Sequence, residues 1–214
     1  SPEVLEIVPY GVKDMFEGGP PNRTRPDRST IRLLYVGILS ESKGVLRLIE
    51  VVRILSNAGY SVDLRLVGES ESDRFSTRIR RTLRSYGLES RVTLEGVARG
   101  ERKANLFRWA DFFIFLSRFE HEASPVAVIE AMSAGLPTVA SNWRGIPYLL
   151  GKSVAGFVVE RGDPEAASSA VAELFENHPL WASMAAQARC RYEELFSEEQ
   201  YLDRIHRHFL RVVK

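Results

Sequence analysis

Ile31-Arg-Leu-Leu-Tyr-Val-Gly37, the segment Val45 to Ala58, and Val62-Asp-Leu-Arg-Leu-Val-Gly68 form the stretch that decides the fold. The first and third segments are short apolar runs closed by a glycine and read as strands. Between them, apolar residues recur at spacings of three and four, the period of a helix with one buried face. A strand, a helix and a second strand in this succession require parallel pairing through a right-handed crossover.

The same alternation extends to the end of the chain. Phe75 to Tyr86 is predicted as a helix stopped by Gly87. Arg91-Val-Thr-Leu-Glu95 is a short strand and Arg102 to Trp109 a short helix. Asp111-Phe-Phe-Ile-Phe-Leu116 is apolar without alternation, as expected of a strand covered on both faces. Pro125 to Ala134 is predicted as a helix, Leu136 to Ala140 as a strand, Ile146 to Leu150 as a helical turn and Gly156-Phe-Val-Val-Glu160 as the last strand. Three helices close the chain, at Pro164 to Asn177, Leu180 to Phe196 and Ser197 to Val212. The expected fold class is α/β: one doubly wound, Rossmann-like parallel sheet with helices on both faces.

The first thirty residues read differently. Val4 to Val8 resembles a strand fragment and Pro9-Tyr-Gly-Val12 a turn. Glu17-Gly-Gly-Pro-Pro-Asn-Arg-Thr-Arg-Pro-Asp-Arg-Ser29 has the composition of a loop. The expected organisation is a connector over 1–30 arriving from a domain outside the chain, and a ligand-binding domain over 31–214.

Composition narrows the function classes. The 214 residues are 44% hydrophobic and 27% charged, which is typical of a globular domain with a real core. The net charge of +1 is not the basic footprint of a nucleic-acid-binding protein. No run approaches the roughly 18 apolar residues of a membrane span, and the start lacks the pattern of a signal peptide. An intracellular, cytoplasmic protein is expected. The single cysteine, Cys190, offers no disulfide and no ligand cluster, and is expected as a buried or half-buried thiol.

Ligands of an open parallel sheet sit beyond the carboxyl ends of its strands. After the first strand come Gly37-Ile-Leu-Ser-Glu-Ser-Lys43-Gly44 and then a helix. Flexible glycines, a helix start and a cation make this either a phosphate cradle or, as the segment by itself favours, a loop with a solvated lysine. It matches neither the Walker A spacing nor G-x-G-x-x-G. After Asp111–Leu116 comes Ser117-Arg-Phe-Glu-His-Glu122-Ala-Ser124-Pro125-Val126-Ala-Val-Ile-Glu130. Ser124 is predicted as the N-cap and Pro125 as the first helical residue, which would turn the amides near Val126 and Ala127 toward the crevice. Glu130 lies one turn further, among apolar neighbours. A carboxylate there needs a partner, either ligand hydroxyls or an internal arginine. Glu122 is either a second site carboxylate or a surface charge.

With these residues in view, the chain resembles the family 4 glycosyltransferases, a retaining group with a two-domain GT-B fold. Their C-terminal half carries a Glu, seven intervening residues and a second Glu, here Glu122-Ala-Ser-Pro-Val-Ala-Val-Ile-Glu130-Ala-Met-Ser-Ala-Gly-Leu-Pro-Thr-Val-Ala-Ser141. Tyr35-Val-Gly37, Ser42-Lys43-Gly44, Leu66-Val-Gly68, Val92-Thr-Leu-Glu-Gly96, Gly145-Ile-Pro147 and Gly162-Asp163 follow the family order. The resemblance covers the chain from Ile31 onward.

It implies a donor-binding domain, the C-terminal half of a GT-B enzyme, which holds a UDP- or GDP-linked sugar. A missing N-terminal domain would bind the acceptor, a glycan or lipid-linked glycan. In that case a cytoplasmic location extends to the cytoplasmic membrane face. Lys43 would contact the diphosphate, Glu130 the ribose, and Gly37, Gly68, Ser124, Pro125 and Val126 would line the donor site. Glu122 would approach the transferred sugar as the catalytic carboxylate, and the loop after Gly96 would meet the base. Neither metal nor cofactor is implied, the nucleoside diphosphate sugar being the substrate. The three carboxylate and amine heads are expected to meet in one pocket.

Two usual charges of the family pattern are replaced, with Ile38 where an arginine is usual and Tyr148 where a glutamate is frequent, and Ala123-Ser124-Pro125 stands in place of the common Gly-Phe-Gly, a variant the family tolerates. Arg118 and Arg144 are the candidates to replace the lost charge. The departures keep open a non-catalytic nucleotide-sugar-binding or regulatory module, and the shared fold keeps open a GT-B nucleotide-sugar epimerase.

Overall fold

A computed structural model of the protein describes residues 9–16, 19–21, 29–151, 154–160 and 162–212, with the side chains of 211 and 212 left aside. Six strands form one parallel sheet: β1 (Thr30–Val36), β2 (Ser61–Val67), β3 (Val92–Gly96), β4 (Phe112–Phe115), β5 (Thr138–Asn142) and β6 (Gly156–Glu160). Their spatial order is β3-β2-β1-β4-β5-β6. Among the described residues eight helices intervene or follow: α1 (Val45–Asn57), α2 (Asp73–Tyr86), α3 (Gly100–Trp109), α4 (Val126–Ser133), α5 (Ile146–Leu149), α6 (Pro164–Glu176), α7 (His178–Leu195) and α8 (Glu198–Val212). The expected doubly wound architecture is therefore present.

The core follows from the apolar patterning. All four residues of β4 are buried, as are Leu33, Leu34 and Tyr35 in β1. A strand so covered cannot alternate polar and apolar residues, because neither face meets water. Tyr35 and Phe115, on neighbouring strands, stack with ring centroids 5.8 Å apart. The Tyr35 hydroxyl donates to the Ile38 carbonyl at 2.9 Å, which satisfies the one polar group this buried ring carries.

The chain runs outward from β1 through β2 to β3, then returns to place β4 on the other side of β1. That reversal opens a crevice at the carboxyl ends of β1 and β4. Two glycines keep it narrow. Gly44, at φ 80°, leads into α1, and a Cβ there would lie 2.2 Å from the Leu116 carbonyl oxygen. Gly68 follows β2, where a Cβ would stand 1.9 Å from the carbonyl oxygen of Gly37.

Element ends depart from expectation where a cap decides them. The second helix begins at Asp73 because the Ser72 hydroxyl accepts from the Phe75 amide at 3.1 Å. The helix after β4 starts at Val126: Pro125 is its N-cap in an extended conformation, without a side-chain cap bond. Ser124 is thus not the N-cap. The chain turns into the helix one residue later, which removes its hydroxyl from capping register. Strand β5 starts at Thr138, two residues later than predicted, and ends at Asn142.

Cys190 is a further correction, since it lies exposed on α7. Its thiol meets a carboxylate oxygen of Glu194 at 3.3 Å, and that neighbour holds the thiol above its ordinary range. The predicted strand Val4–Val8 lies outside the described residues. The segment 9–16 packs along the end of the helical layer. Val12 donates to the Phe196 carbonyl at 2.8 Å, the Tyr192 hydroxyl donates to Val12 at 2.8 Å, and Phe16 is buried.

Candidate functional site

Lys43 leaves the loop between β1 and α1, and Glu122 the loop between β4 and α4, so the topological reversal places them face to face. The Lys43 ammonium lies 2.6 Å from Glu122 Oε2. The Ser117 hydroxyl donates to the same oxygen, also at 2.6 Å. The Glu122 side chain is only 7% exposed, while Lys43 keeps 18% of its surface open. Lys43 Nζ also rests 4.5 Å from the centre of the Phe119 ring, a cation–π contact.

Backbone bonds hold this arrangement. Arg118 donates to the Ser42 carbonyl at 2.8 Å, tying the two loops together. Trp143 Nε1 donates to the Phe119 carbonyl at 2.7 Å, and Ser141 Oγ to the Ser117 carbonyl at 2.5 Å. The carboxylate between Lys43 and Ser117 is consequently fixed from both sides.

Glu130 sits in the second turn of α4 and is 8% exposed. Its Oε1 accepts from Lys103 Nζ at 2.5 Å, across from the first turn of α3. Its Oε2 is buried without a hydrogen-bond partner. Burial pushes the Glu130 carboxyl above its ordinary range, and Lys103 opposes that rise. Glu130 and Lys103 both line an open cleft of about 760 Å³ between the segment 12–15 and the start of α3. Ala98 and Arg99, in the loop after Gly96, form another wall.

Lys43 and Glu122 therefore converge as expected, whereas Glu130 belongs to a separate ion pair whose cleft neither of them lines. Gly37 and Gly68 pack backbone against backbone at the β1 and β2 exits. Ser124 is half-buried, Pro125 buried and Val126 41% exposed at the start of α4. Neither α1 nor α4 has a side-chain cap or an acidic residue in its first turn. At α1 the Val45 amide already donates to the Ser40 carbonyl and the Arg47 amide to the Gly44 carbonyl, so the α4 start is the less occupied of the two positive helix ends.

Ile38 is 57% exposed and Tyr148 52% exposed, so these two departures from the family pattern lie on the surface. Arg118 lies close enough to Arg47 of α1 to act on it. Burial first, and Arg118 second, hold the Arg47 guanidinium below its usual range. Arg144, at φ 50°, places its guanidinium 5.4 Å from the centre of the Trp143 ring.

Sequence reasoning missed three groups: Lys103, Ser117 and Arg47. The only signal in the sequence was indirect: a carboxylate in an apolar helix demands a partner, without saying which residue supplies it. An arginine was the expected internal partner, and the structure supplies a lysine from α3. Among the described residues, no group of three or more His, Cys, Asp or Glu side chains could hold a metal ion. His121 is exposed, with its ring edge-on to Phe119 at 5.6 Å. No helix among the described residues is long and apolar enough to cross a membrane.

Comparison with known proteins adds to this geometry. Residues 21–191 match the family described as glycosyl transferases group 1. An amylovoran biosynthesis glycosyltransferase of Erwinia amylovora is 29% identical over 172 residues, covering 78% of this chain and 42% of that protein. The GDP-mannose:cellobiosyl-diphosphopolyprenol alpha-mannosyltransferase of Xanthomonas oryzae is 29% identical over 213 residues, covering 96% of this chain and 53% of that protein. The chain spans about half the length of the curated relatives it matches. Among solved structures, Anabaena HepE in complex with UDP and glucose superposes with a TM-score of 0.76 at 21% identity, covering 85% of this chain and 48% of that one. At that identity the likeness concerns the fold.

Proposed function

The chain belongs to the glycosyl transferases group 1 family, and from that premise we propose that it is the donor-binding half of a retaining GT-B glycosyltransferase. The donor is a sugar linked to uridine or guanosine diphosphate. In this reading a separate N-terminal domain holds the acceptor, with residues 1–30 as connector and residues 31–214 as the donor domain. The observation that carries this reading is the Glu130 carboxylate, which lines a cleft beside a helix start and keeps one buried oxygen, Oε2, without a hydrogen-bond partner among the described residues.

In this reading the ribose hydroxyls donate to Glu130 Oε2. The diphosphate lies across the starts of α1 and α4, where uncapped amides and the ammonium of Lys43 meet its charge. Lys43 is long and partly exposed, so it can turn from Glu122 to a phosphate without moving the backbone. Glu122 then faces the transferred sugar. A carboxylate at that point accepts from sugar hydroxyls and stabilises positive charge developing at the anomeric carbon.

The names of two similar proteins favour the two donor classes: one carries UDP in its solved complex and the other uses GDP-mannose. The second relative also acts on a polyprenol-linked acceptor, in keeping with a glycan or lipid-linked acceptor and a site of work at the cytoplasmic membrane face. No metal or organic cofactor enters the proposed reaction.

Isothermal titration with UDP and GDP tests the reading. One of the two is expected to bind with a preference of about ten-fold, equivalent to about 1.4 kcal/mol. Glu130→Ala should weaken that binding by at least ten-fold, and a variant that binds like the parent contradicts the ribose role. The exposed, uncharged Ile38 favours a second reading, a nucleotide-sugar-binding module without transfer. Sugar transfer by a protein carrying both domains separates the two.

A further inference from the structure

Lys103 has no role in the donor site described above, yet it is the only described residue that touches the Glu130 carboxylate through an ion pair or side-chain hydrogen bond. An ammonium carries three N–H donors, and Glu130 Oε1 occupies one. The Lys103 side chain is 21% exposed and lines the same cleft as Glu130. Its remaining donors therefore have access to a ligand in that cleft.

The other charges on the cleft wall are Lys13, Asp14, Arg99, Glu101 and Arg108. Asp14 is paired with Arg189 at 2.7 Å, and Glu101 with Arg108 at 2.5 Å. Neither acid is paired with Lys103, and none of these three cations is hydrogen-bonded to Glu130 Oε2.

The two heads thus present a cationic donor beside a buried, unfilled acceptor. A carbonyl can take a proton from the first but has none for the second, and an amine cation is repelled by the first. A hydroxyl satisfies both at once, because it accepts through a lone pair and donates its own proton.

Building on the donor-site reading, we propose that Lys103 is a nucleoside-binding residue: while it holds Glu130 Oε1, it donates to a ribose hydroxyl whose proton goes to Glu130 Oε2. The pair then discriminates ribonucleotides from deoxyribonucleotides, which the carboxylate alone does less well. The ion pair also opposes the rise that burial imposes on the Glu130 carboxyl, and so favours the ionised form that offers both oxygens as acceptors.

The test is calorimetric titration of UDP and GDP against their 2′-deoxy and 3′-deoxy forms, with the parent chain, Lys103→Met, Lys103→Arg and Glu130→Gln. Thermal melts confirm that each variant is folded. The parent should prefer the ribonucleotide to at least one deoxy form by about ten-fold, as expected for a hydrogen bond to charged groups. Lys103→Met should lose most of that preference through weaker ribonucleotide binding, with the affinity for that deoxy form changed less than three-fold. Lys103→Arg should restore part of it. In Lys103→Met the acid-side loss of binding should also move to higher pH, because Glu130 has lost the cation that holds its proton off.

A Lys103→Met chain that keeps the full preference and the parent's pH profile overturns the inference. If Glu130→Gln loses the preference in that same experiment, the donor-site reading survives without it. A parent chain that binds neither nucleotide at millimolar concentration sinks both.

Discussion

Two carboxylates eight positions apart, Glu122 and Glu130, meet opposite fates at the same edge of the sheet. Glu122 has both a lysine and a serine on one oxygen, in loops tied together by backbone bonds. Glu130 has a lysine on one oxygen and nothing on the other, although it is nearly as buried. Leaving a buried acceptor unfilled costs about 1–3 kcal/mol, so Glu130 Oε2 is the costlier of the two placements. The contrast is that Glu122 is held by two donors on one oxygen, while Glu130 keeps a buried oxygen without a partner among the described residues, which is why the proposed function gives the first the reaction and the second the ribose.

Damage to the β1–β2 exits tests whether the Glu122 region is rigid in the way its bonds imply. Gly68→Ala should destabilise the chain most, by about 3 kcal/mol or more, or roughly 6–12 °C in Tm, because its Cβ would collide with the Gly37 backbone. A melt within about 2 °C of the parent, equivalent to about 1 kcal/mol or less, would show that the crevice floor yields.

Glu122→Gln sharpens the division of labour. Sugar transfer by a protein carrying both domains should fall about 100-fold, the scale of a lost charge-stabilising group, while nucleotide affinity stays within about three-fold. Loss of both together would place Glu122 on the nucleotide instead. Lys43→Ala should weaken diphosphate binding by about ten-fold at low salt, and the gap from the parent should narrow as salt screens the contact. Titrations at two ionic strengths decide this.

The smallest effect is on stability against pH. Burial raises the folded-state pKa of Glu130 above its unfolded value. The native state therefore binds the proton more readily, and this group's favourable term is present at low pH and lost as pH rises through the folded pKa. Relative to Glu130→Gln, the parent's Tm should improve as pH falls from neutral toward the carboxylate range. A difference independent of pH would contradict the desolvation of Glu130.

The fold was legible in the sequence because its signals are local. The unbroken apolar run Phe112–Phe115 marks a strand without either face in water, and the glycine-closed runs at Gly37 and Gly68 mark strand exits. Helix ends were less legible where one bond decides them: Ser72 extended α2 by two residues, and the extended backbone of Pro125 displaced the cap from Ser124.

The site was legible only in part. Lys43, Glu122 and Glu130 stand out by motif, and the pairing of Lys43 with Glu122 followed from where β1 and β4 lie. Lys103 did not stand out, because an amphipathic helix start is full of charged residues and its partner lies 27 positions away. Which lysine reaches a buried carboxylate is set by the packing of α3 against the strand exits, and no short sequence pattern encodes it. Cys190 was misread for a related reason: helical spacing does not tell which face α7 turns to solvent.

Backbone amide mapping by NMR during a titration with UDP and GDP tests the central claim most directly. The account predicts that amides of residues 43–46, 97–103 and 124–130 move together and saturate at one nucleotide concentration, linking Lys43, the Lys103 turn and the start of α4 in one bound ligand. Saturating shifts confined to α2, α6 or α8, with these three segments unmoved, would contradict it.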